Sequence, residues 1–398
     1  MKYKILFIMS LLFYSCSIVI PLNDLPKPNG DFIVGTQIFY WEDSSRDEIF
    51  TKDVIDTRKI VVQVWYPASQ PSDSLYPYMD NPELRLNALS KQLGVPNFLM
   101  QHVKNIKGNS YLNAKPVNNE KFPIILFSHG LGGTKTQNSI NIEALVSSGY
   151  IVVAPDHTYD ASVTIFENGD TYDFKSGLPV SELPGQVITE KVFWETRLPQ
   201  INTRANDMKF IIDKLQMMKN NPIYNNINFN KIGIFGHSFG GATSVLSSWN
   251  DTRISACLNL DGWFEPIVDD IINNGLKIPF CYIGQESWGI KSKNYSKLNT
   301  FFNNCQNDAY IIKVKQTKHF DYSDLPYITS IGKKLKISGK ATNKEFIPDL
   351  NHVILGFFNE YLKNDLKDWI EKFEKKFAKK GYYIFFHRFF KSFDINFL

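Results

Sequence analysis

From Pro123 onward the chain alternates short apolar runs with longer amphipathic stretches. Ile124 to Phe127, Tyr150 to Ala154, Lys231 to Phe235, Ile254 to Leu260, Ile278 to Ile283 and Tyr310 to Val314 are rich in Ile, Val, Leu and aromatic residues, the composition of buried strands. Helices are expected at Ser139 to Ser148, Ile201 to Met218, just after Ser238, Lys291 to Asn304, and Pro348 to Lys363, where the proline suits a first turn. Strands alternating with helices give a mostly parallel sheet covered on both faces. Ahead of this pattern, Phe32 to Trp41 and Arg58 to Tyr66 read as an antiparallel pair at the sheet edge. Tyr78 to Asn118 is polar, with a helical patch at Leu84 to Val103, and reads as an insertion. Asp160 to Thr196 reads as a long Gly- and Pro-containing connection.

The two ends break the pattern. Lys2 and Lys4 precede an apolar run from Ile5 to Phe13, far too short to span a bilayer. That order is expected of a signal peptide over 1–15. Cys16 directly after it resembles a bacterial lipoprotein signal, whose cysteine is lipidated. A tether over 16–30 and an α/β domain over 31–363 follow, then a basic, aromatic extension over 364–398. In that extension Trp369, Phe373 and Phe377 share one helical face, and Gly381 to Lys391 mixes aromatic with basic residues. Two readings fit: a membrane-interface segment, or a last helix docked with its rings buried. The expected place is outside the cytoplasm, as a bacterial envelope lipoprotein or a secreted protein, with surface contact through Cys16 and the extension.

Composition adds little beyond bounds. The 398 residues are 43% hydrophobic, enough for one large α/β domain with insertions or two small ones. A net charge of +4 is too small to argue for nucleic acid. Of the four cysteines, Cys257 and Cys281 fall in strand-like runs, and no Cys-x-x-Cys pair exists, so no metal or redox site is expected.

The chemistry centres on Gly236-His237-Ser238-Phe239-Gly240, set between an apolar strand and a helix-forming segment. G-x-S-x-G in that context reads as a nucleophile elbow. A serine hydroxyl needs an imidazole to take its proton and a carboxylate to orient that imidazole. Downstream of Ser238 stand only His319, His352 and His387; His319, in the loop after the last strand, is expected to be the base. Two acids end neighbouring strands: Asp261, preferred, and Glu286 as the alternative. The oxyanion donors are expected to be the N–H groups of Phe239 and of Leu131, in the loop His129-Gly130-Leu131-Gly132-Gly133, whose glycines allow close backbone approach.

Several segments together resemble the platelet-activating factor acetylhydrolase family, the secreted and type II serine esterases, over roughly Phe32 to Tyr361. They are Trp41-Glu42-Asp43-Ser44-Ser45-Arg46, Val64-Trp65-Tyr66-Pro67, Phe127-Ser128-His129-Gly130-Leu131-Gly132, Asp156-His157-Thr158-Tyr159-Asp160-Ala161-Ser162, the elbow, and Leu260-Asp261-Gly262-Trp263. The resemblance implies the α/β-hydrolase fold. It also implies an aspartate after the strand that follows the elbow helix, which favours Asp261, and the Leu131 and Phe239 oxyanion donors. The activity it implies is calcium-independent hydrolysis of phospholipids carrying a short or oxidatively truncated sn-2 chain, with no cofactor. The rival expectations are a general short-chain carboxylesterase or polyesterase and, in another class, an inactive surface lipoprotein that only binds.

Overall fold

The computed structural model describes residues 24–53, 55–177, 188–289, 292–329, 332, 336–340, 343–365, 369–371 and 382–387. The expected signal segment and Cys16 lie outside them. Strands form an eleven-stranded sheet in the order β13-β12-β11-β10-β9-β5-β6-β2-β1-β4-β3. These are β1 (Ile33–Asp47), β2 (Thr57–Ala68), β3 (Leu75–Pro77), β4 (Lys107–Leu112), β5 (Phe122–Ser128), β6 (Ile151–Asp156), β9 (Ile227–His237), β10 (Ile254–Leu260), β11 (Phe280–Gln285), β12 (Ala309–Val314) and β13 (Tyr382–His387). From β6 through β5, β9, β10 and β11 to β12 every pairing is parallel. A separate hairpin joins β7 (Val163–Ile165) to β8 (Thr171–Asp173).

Successive strand side chains point to opposite faces, and both faces here are apolar. On β5, Ile124 and Leu126 enter one core while Ile125 and Phe127 enter the other. Cys257 on β10 and Phe280 and Tyr282 on β11 share the first; Leu258, Leu260, Cys281 and Ile283 share the second. The first core is closed by α3 (Glu190–Met217), α4 (Phe239–Asn250), α5 (Asp269–Asn274) and α6 (Asn294–Asn304), the second by α2 (Ser139–Ser147) and α8 (Asn343–Lys363), with the short α7 (Leu325–Ile328) between α6 and α8 in the chain. That is why the central strands read as continuous apolar runs instead of alternating ones. The three described cysteines, Cys257, Cys281 and Cys305, are buried free thiols.

Several boundaries differ from the sequence expectation. Helix α3 starts at Glu190, well before Ile201, and carries Pro199 inside it. Its early turns project Arg197, Gln200, Arg204 and Asp207 into the protein, so their polar pattern masks a buried face. Pro348 likewise lies inside α8 and not in its first turn. The connection after Asp160 contains the β7–β8 hairpin. The insertion holds α1 (Pro82–Leu93), and its β4 and the preceding β3 lengthen the sheet beyond the expected β1–β2 edge. In the C-terminal extension Trp369 and Ile370 are buried, and β13 pairs antiparallel with β12.

Candidate functional site

The elbow is built by steric exclusion. Ser238, between β9 and α4, has φ 57° and ψ −118°, a conformation that is costly for a residue with a side chain. Its surroundings over-determine it: its N–H donates to the Leu260 carbonyl (3.1 Å), and its own carbonyl accepts from Gly241 (3.0 Å) and Trp263 (2.9 Å). A Cβ at Gly236 would overlap the Gly240 carbonyl, and one at Gly240 the Ser128 carbonyl, so both glycines are sterically required.

Three strand ends converge there. Asp261 follows β10 at φ 45°, which Asp tolerates better than most residues. His319 opens a single helical turn, His319–Tyr322, after β12. Its Nδ1 lies 2.6 Å from Asp261 Oδ2 and its Nε2 2.8 Å from Ser238 Oγ. Asp261 is fully buried, and all its other partners are donors too: the Tyr282 hydroxyl (3.0 Å), Gln285 N–H (3.0 Å) and Trp288 Nε1 (3.1 Å) on Oδ1, and Gln285 Nε2 (2.8 Å) on Oδ2. The Trp288 ring stands edge-on to His319, 4.8 Å between centroids. Glu286, the alternative acid, is exposed and makes no hydrogen bond to His319. The geometry therefore brings together Ser238, His319 and Asp261 and leaves Glu286 outside.

In the glycine-rich loop, Gly130 N–H donates to Gln137 Oε1 (2.8 Å), Gly132 N–H to the Asp160 carbonyl (3.0 Å) and Gly133 N–H to the Gly130 carbonyl (2.9 Å). Leu131 N–H has no partner among the described residues. Phe239 is the first residue of α4, where N–H groups have no intrahelical acceptor. Behind the loop, buried Arg204 on α3 donates to the carbonyls of His129 (2.6 Å) and Gly130 (3.3 Å) while its Nε is paired with Asp160. Nearby, Ser128, His157 and Asp207 form a second Ser–His–Asp line (3.0 and 2.8 Å), which is wholly buried and closed to any substrate. Burial, helped by the Arg204 charge, pushes the His157 imidazole down to about 4, so it is neutral at ordinary pH.

A cavity of about 440 Å³ opens at Ser238. Tyr78, Met79, Leu89 and Leu93 of the insertion form one wall, and Phe320, Leu325 and Ile328 another. No Asp, Glu, Lys or Arg is among the described residues that line it. The insertion wall is pinned from below: Arg85 pairs with Asp80 (2.7 Å) and Asp156 (2.8 Å), and Lys135 with Asp80 (2.9 Å) and Asp156 (3.4 Å). Among the described residues no His, Cys, Asp and Glu side chains are grouped as metal ligands would be.

Sequence reading missed Gln285, Trp288, Arg204 and Gln137. Arg197, Gln200, Arg204 and Asp207 recur every three or four residues, so a polar stripe on one helical face was visible; the others left no signal that separates them from ordinary loop residues.

A strained serine between strand and helix, hydrogen bonded to a histidine and through it to a strand-end aspartate, on a sheet of this topology, defines an α/β-hydrolase of the serine-esterase type. The solved ferulic acid esterase from Streptomyces cinnamoneus has the same fold: TM-score 0.72 at 20% identity, over 92% of this chain and 99% of that one. The family model for platelet-activating factor acetylhydrolase, isoform II, matches residues 18–379, and the chain belongs to that family. The platelet-activating factor acetylhydrolase of Cavia porcellus is 28% identical over 370 residues, covering 86% of this chain and 78% of that one. The acetylhydrolase of Canis lupus familiaris is 26% identical over 381 residues, covering 88% and 81%. A probable 1-alkyl-2-acetylglycerophosphocholine esterase of Arthroderma benhamiae is 28% identical over 250 residues, covering 58% and 56%. The family match reaches past Tyr361, the end of the resemblance carried by the sequence segments quoted above.

Proposed function

We propose that this chain is a serine esterase that hydrolyses short or oxidatively truncated sn-2 acyl esters of phospholipids through an acyl-enzyme. The observation that carries the reading is the unbroken hydrogen-bonded line from Asp261 through His319 to Ser238, which ends in an apolar, uncharged pocket. Ser238 Oγ attacks the ester carbonyl as His319 Nε2 takes its proton, and Asp261 holds the imidazole in the required tautomer. The Leu131 and Phe239 N–H groups receive the developing oxyanion; one such donor is worth about 3–4 kcal/mol of barrier. The intermediate collapses, His319 protonates the departing lysophospholipid oxygen, and water then attacks the acyl-enzyme with His319 again as base, releasing the free acid and Ser238.

The test is the initial rate on phospholipids that differ only in sn-2 chain, from acetyl to palmitoyl, with Ser238→Ala as the blank. A steep fall with chain length and no turnover by Ser238→Ala is expected. Turnover by a folded Ser238→Ala protein would refute the assignment of Ser238.

The same reading places the protein outside the cytoplasm, with 1–15 as signal peptide and Cys16 lipidated, and with the C-terminal strand facing lipid. Tyr383, Phe385 and Phe386 are exposed on β13, and Lys313 and Lys315 lie over the rings of Phe385 and Tyr383. Rings beside cations suit an anionic interface. Vesicle binding that survives both Cys16→Ser and Phe385→Ser/Phe386→Ser unchanged would remove this part of the reading.

A further inference from the structure

Gln137 and His237 are polar side chains that line the pocket beside Ser238 and take no part in the ester chemistry. Gln137 precedes α2, and both ends of its amide are engaged. Its Oε1 accepts from Gly130 N–H at 2.8 Å, and its Nε2 lies 2.7 Å from His237 Nδ1. His237 is the residue before the nucleophile, is buried, and places Nε2 at 2.9 Å from the His319 carbonyl.

These contacts admit one proton arrangement. The His319 carbonyl only accepts, so His237 carries its proton on Nε2. Its bare Nδ1 then accepts from the Gln137 NH2, which in turn aims Oε1 at Gly130. Burial, with His319 adding to it, holds the His237 imidazole well below its ordinary value, in keeping with the neutral ring this arrangement needs.

The glycine loop is moulded to the bridge. A Cβ at Gly130 would stand 3.1 Å from His237 Nδ1 and 3.4 Å from Gln137 Nε2, and one at Gly133 would overlap Gln137 Oε1. The same segment grips the turn that carries His319. The Gln137 carbonyl accepts from Asp324 N–H (3.0 Å), and Asn138 Nδ2 donates to the Tyr322 carbonyl (2.8 Å). Engaging Gly130 N–H with Gln137 leaves Leu131 N–H as the donor with no partner in the loop.

We propose that Gln137 and His237 are positioning residues whose hydrogen-bonded bridge sets the oxyanion loop in register with the nucleophile and its base. The inference rests on Ser238 and His319 acting as nucleophile and base. Binding of substrate does not need the bridge; the transition state does, because a misplacement of about 1 Å can cost about a hundredfold.

The experiment is steady-state hydrolysis of p-nitrophenyl acetate by the wild type and by Gln137→Leu, His237→Leu and His237→Asn, with Ser238→Ala as the blank. Gln137→Leu and His237→Leu are expected to lower kcat about 10- to 100-fold with KM within about twofold. His237→Asn keeps an acceptor where Nδ1 stands and is expected to recover part of that loss. A kcat for Gln137→Leu within twofold of wild type overturns the proposal, as does a His237→Asn enzyme no better than His237→Leu. If a variant fails to fold, nitrogen NMR of the wild type decides: a neutral ring protonated on Nε2 is expected at His237, and a ring protonated on Nδ1 overturns it. An active Ser238→Ala would instead defeat the assignment of Ser238 as nucleophile and leave the bridge without a purpose; an inert Ser238→Ala beside a full-rate Gln137→Leu defeats the bridge alone.

Discussion

Replacing Asp261 by Asn changes one atom type and sets donor against donor. The carboxylate accepts three hydrogen bonds on Oδ1 and two on Oδ2, the latter from His319 Nδ1 and Gln285 Nε2. An amide keeps one oxygen. With that oxygen at Oδ1, where three donors converge, the new NH2 faces two donors. His319 escapes by moving its proton to Nε2, which then points an N–H at Ser238 Oγ and cannot take the hydroxyl proton. This tautomer trap lowers kcat by about 10⁴ in serine proteases, close to 5 kcal/mol of barrier. Gln285 can turn its own amide so that Oε1 accepts from the new NH2, so folding stability should change by about 1 kcal/mol or less. Hydrolysis of p-nitrophenyl acetate and urea unfolding measure the two effects. Glu286→Gln is the control, expected within about twofold of wild type because Glu286 is exposed and makes no bond to His319. Asp261→Asn retaining a tenth or more of wild-type kcat, or Glu286→Gln losing as much as Asp261→Asn, would refute the reasoning.

Two further outcomes are expected. His157 takes its proton near 6.5 in the unfolded chain but only near 4 when folded, so between those values the unfolded chain binds more protons and acid favours unfolding. Stability from this residue is fully present above about 6.5 and lost as pH falls toward 4, by about 3 kcal/mol, and denaturant midpoints that stay flat across that window would contradict it. Leu93→Ala opens the insertion wall of the pocket, and each methylene newly housed adds about 0.8 kcal/mol of apolar burial, roughly fourfold in the rate ratio of longer to acetyl chains. An unchanged chain-length profile would mean that the acyl group lies elsewhere.

The parallel strands and the elbow were legible because both are local. An apolar run between turns is a strand whatever surrounds it, and Gly236 and Gly240 are demanded by atoms within a few residues or one strand away. His319 was legible from chain order. The choice between Asp261 and Glu286 was not settled by residue pattern, since both end adjacent strands and only the backbone turn at Asp261 directs its carboxylate at His319. Pro199 and a polar stripe make the first half of α3 read as a loop; that stripe is buried because Asp160 and the His129 and Gly130 carbonyls receive Gln200 and Arg204, the Ser176 carbonyl receives Arg197, and Arg58 and His157 meet Asp207. Strand β13 was not foreseen, because its aromatic and basic composition suits an interface as well as a sheet edge.

Charge in this protein is kept beneath the site and out of it. Arg204, Arg85 and Lys135 are buried with acids under the oxyanion loop and the insertion, while no charged side chain among the described residues lines the cavity. Removing one member of such a cluster strands its partner, typically at about 3–5 kcal/mol, so the loops they hold cannot easily shift. The cavity they frame can then select by volume and apolar contact alone. A phosphate or ammonium drawn into it would lose water and meet no counter-charge, which is unfavourable. An acyl chain meets no such barrier. On the proposed phospholipid substrate, this predicts that the sn-2 acyl group enters the pocket beside Ser238 and the head group stays at the mouth, where solvent or a lipid surface receives its charge.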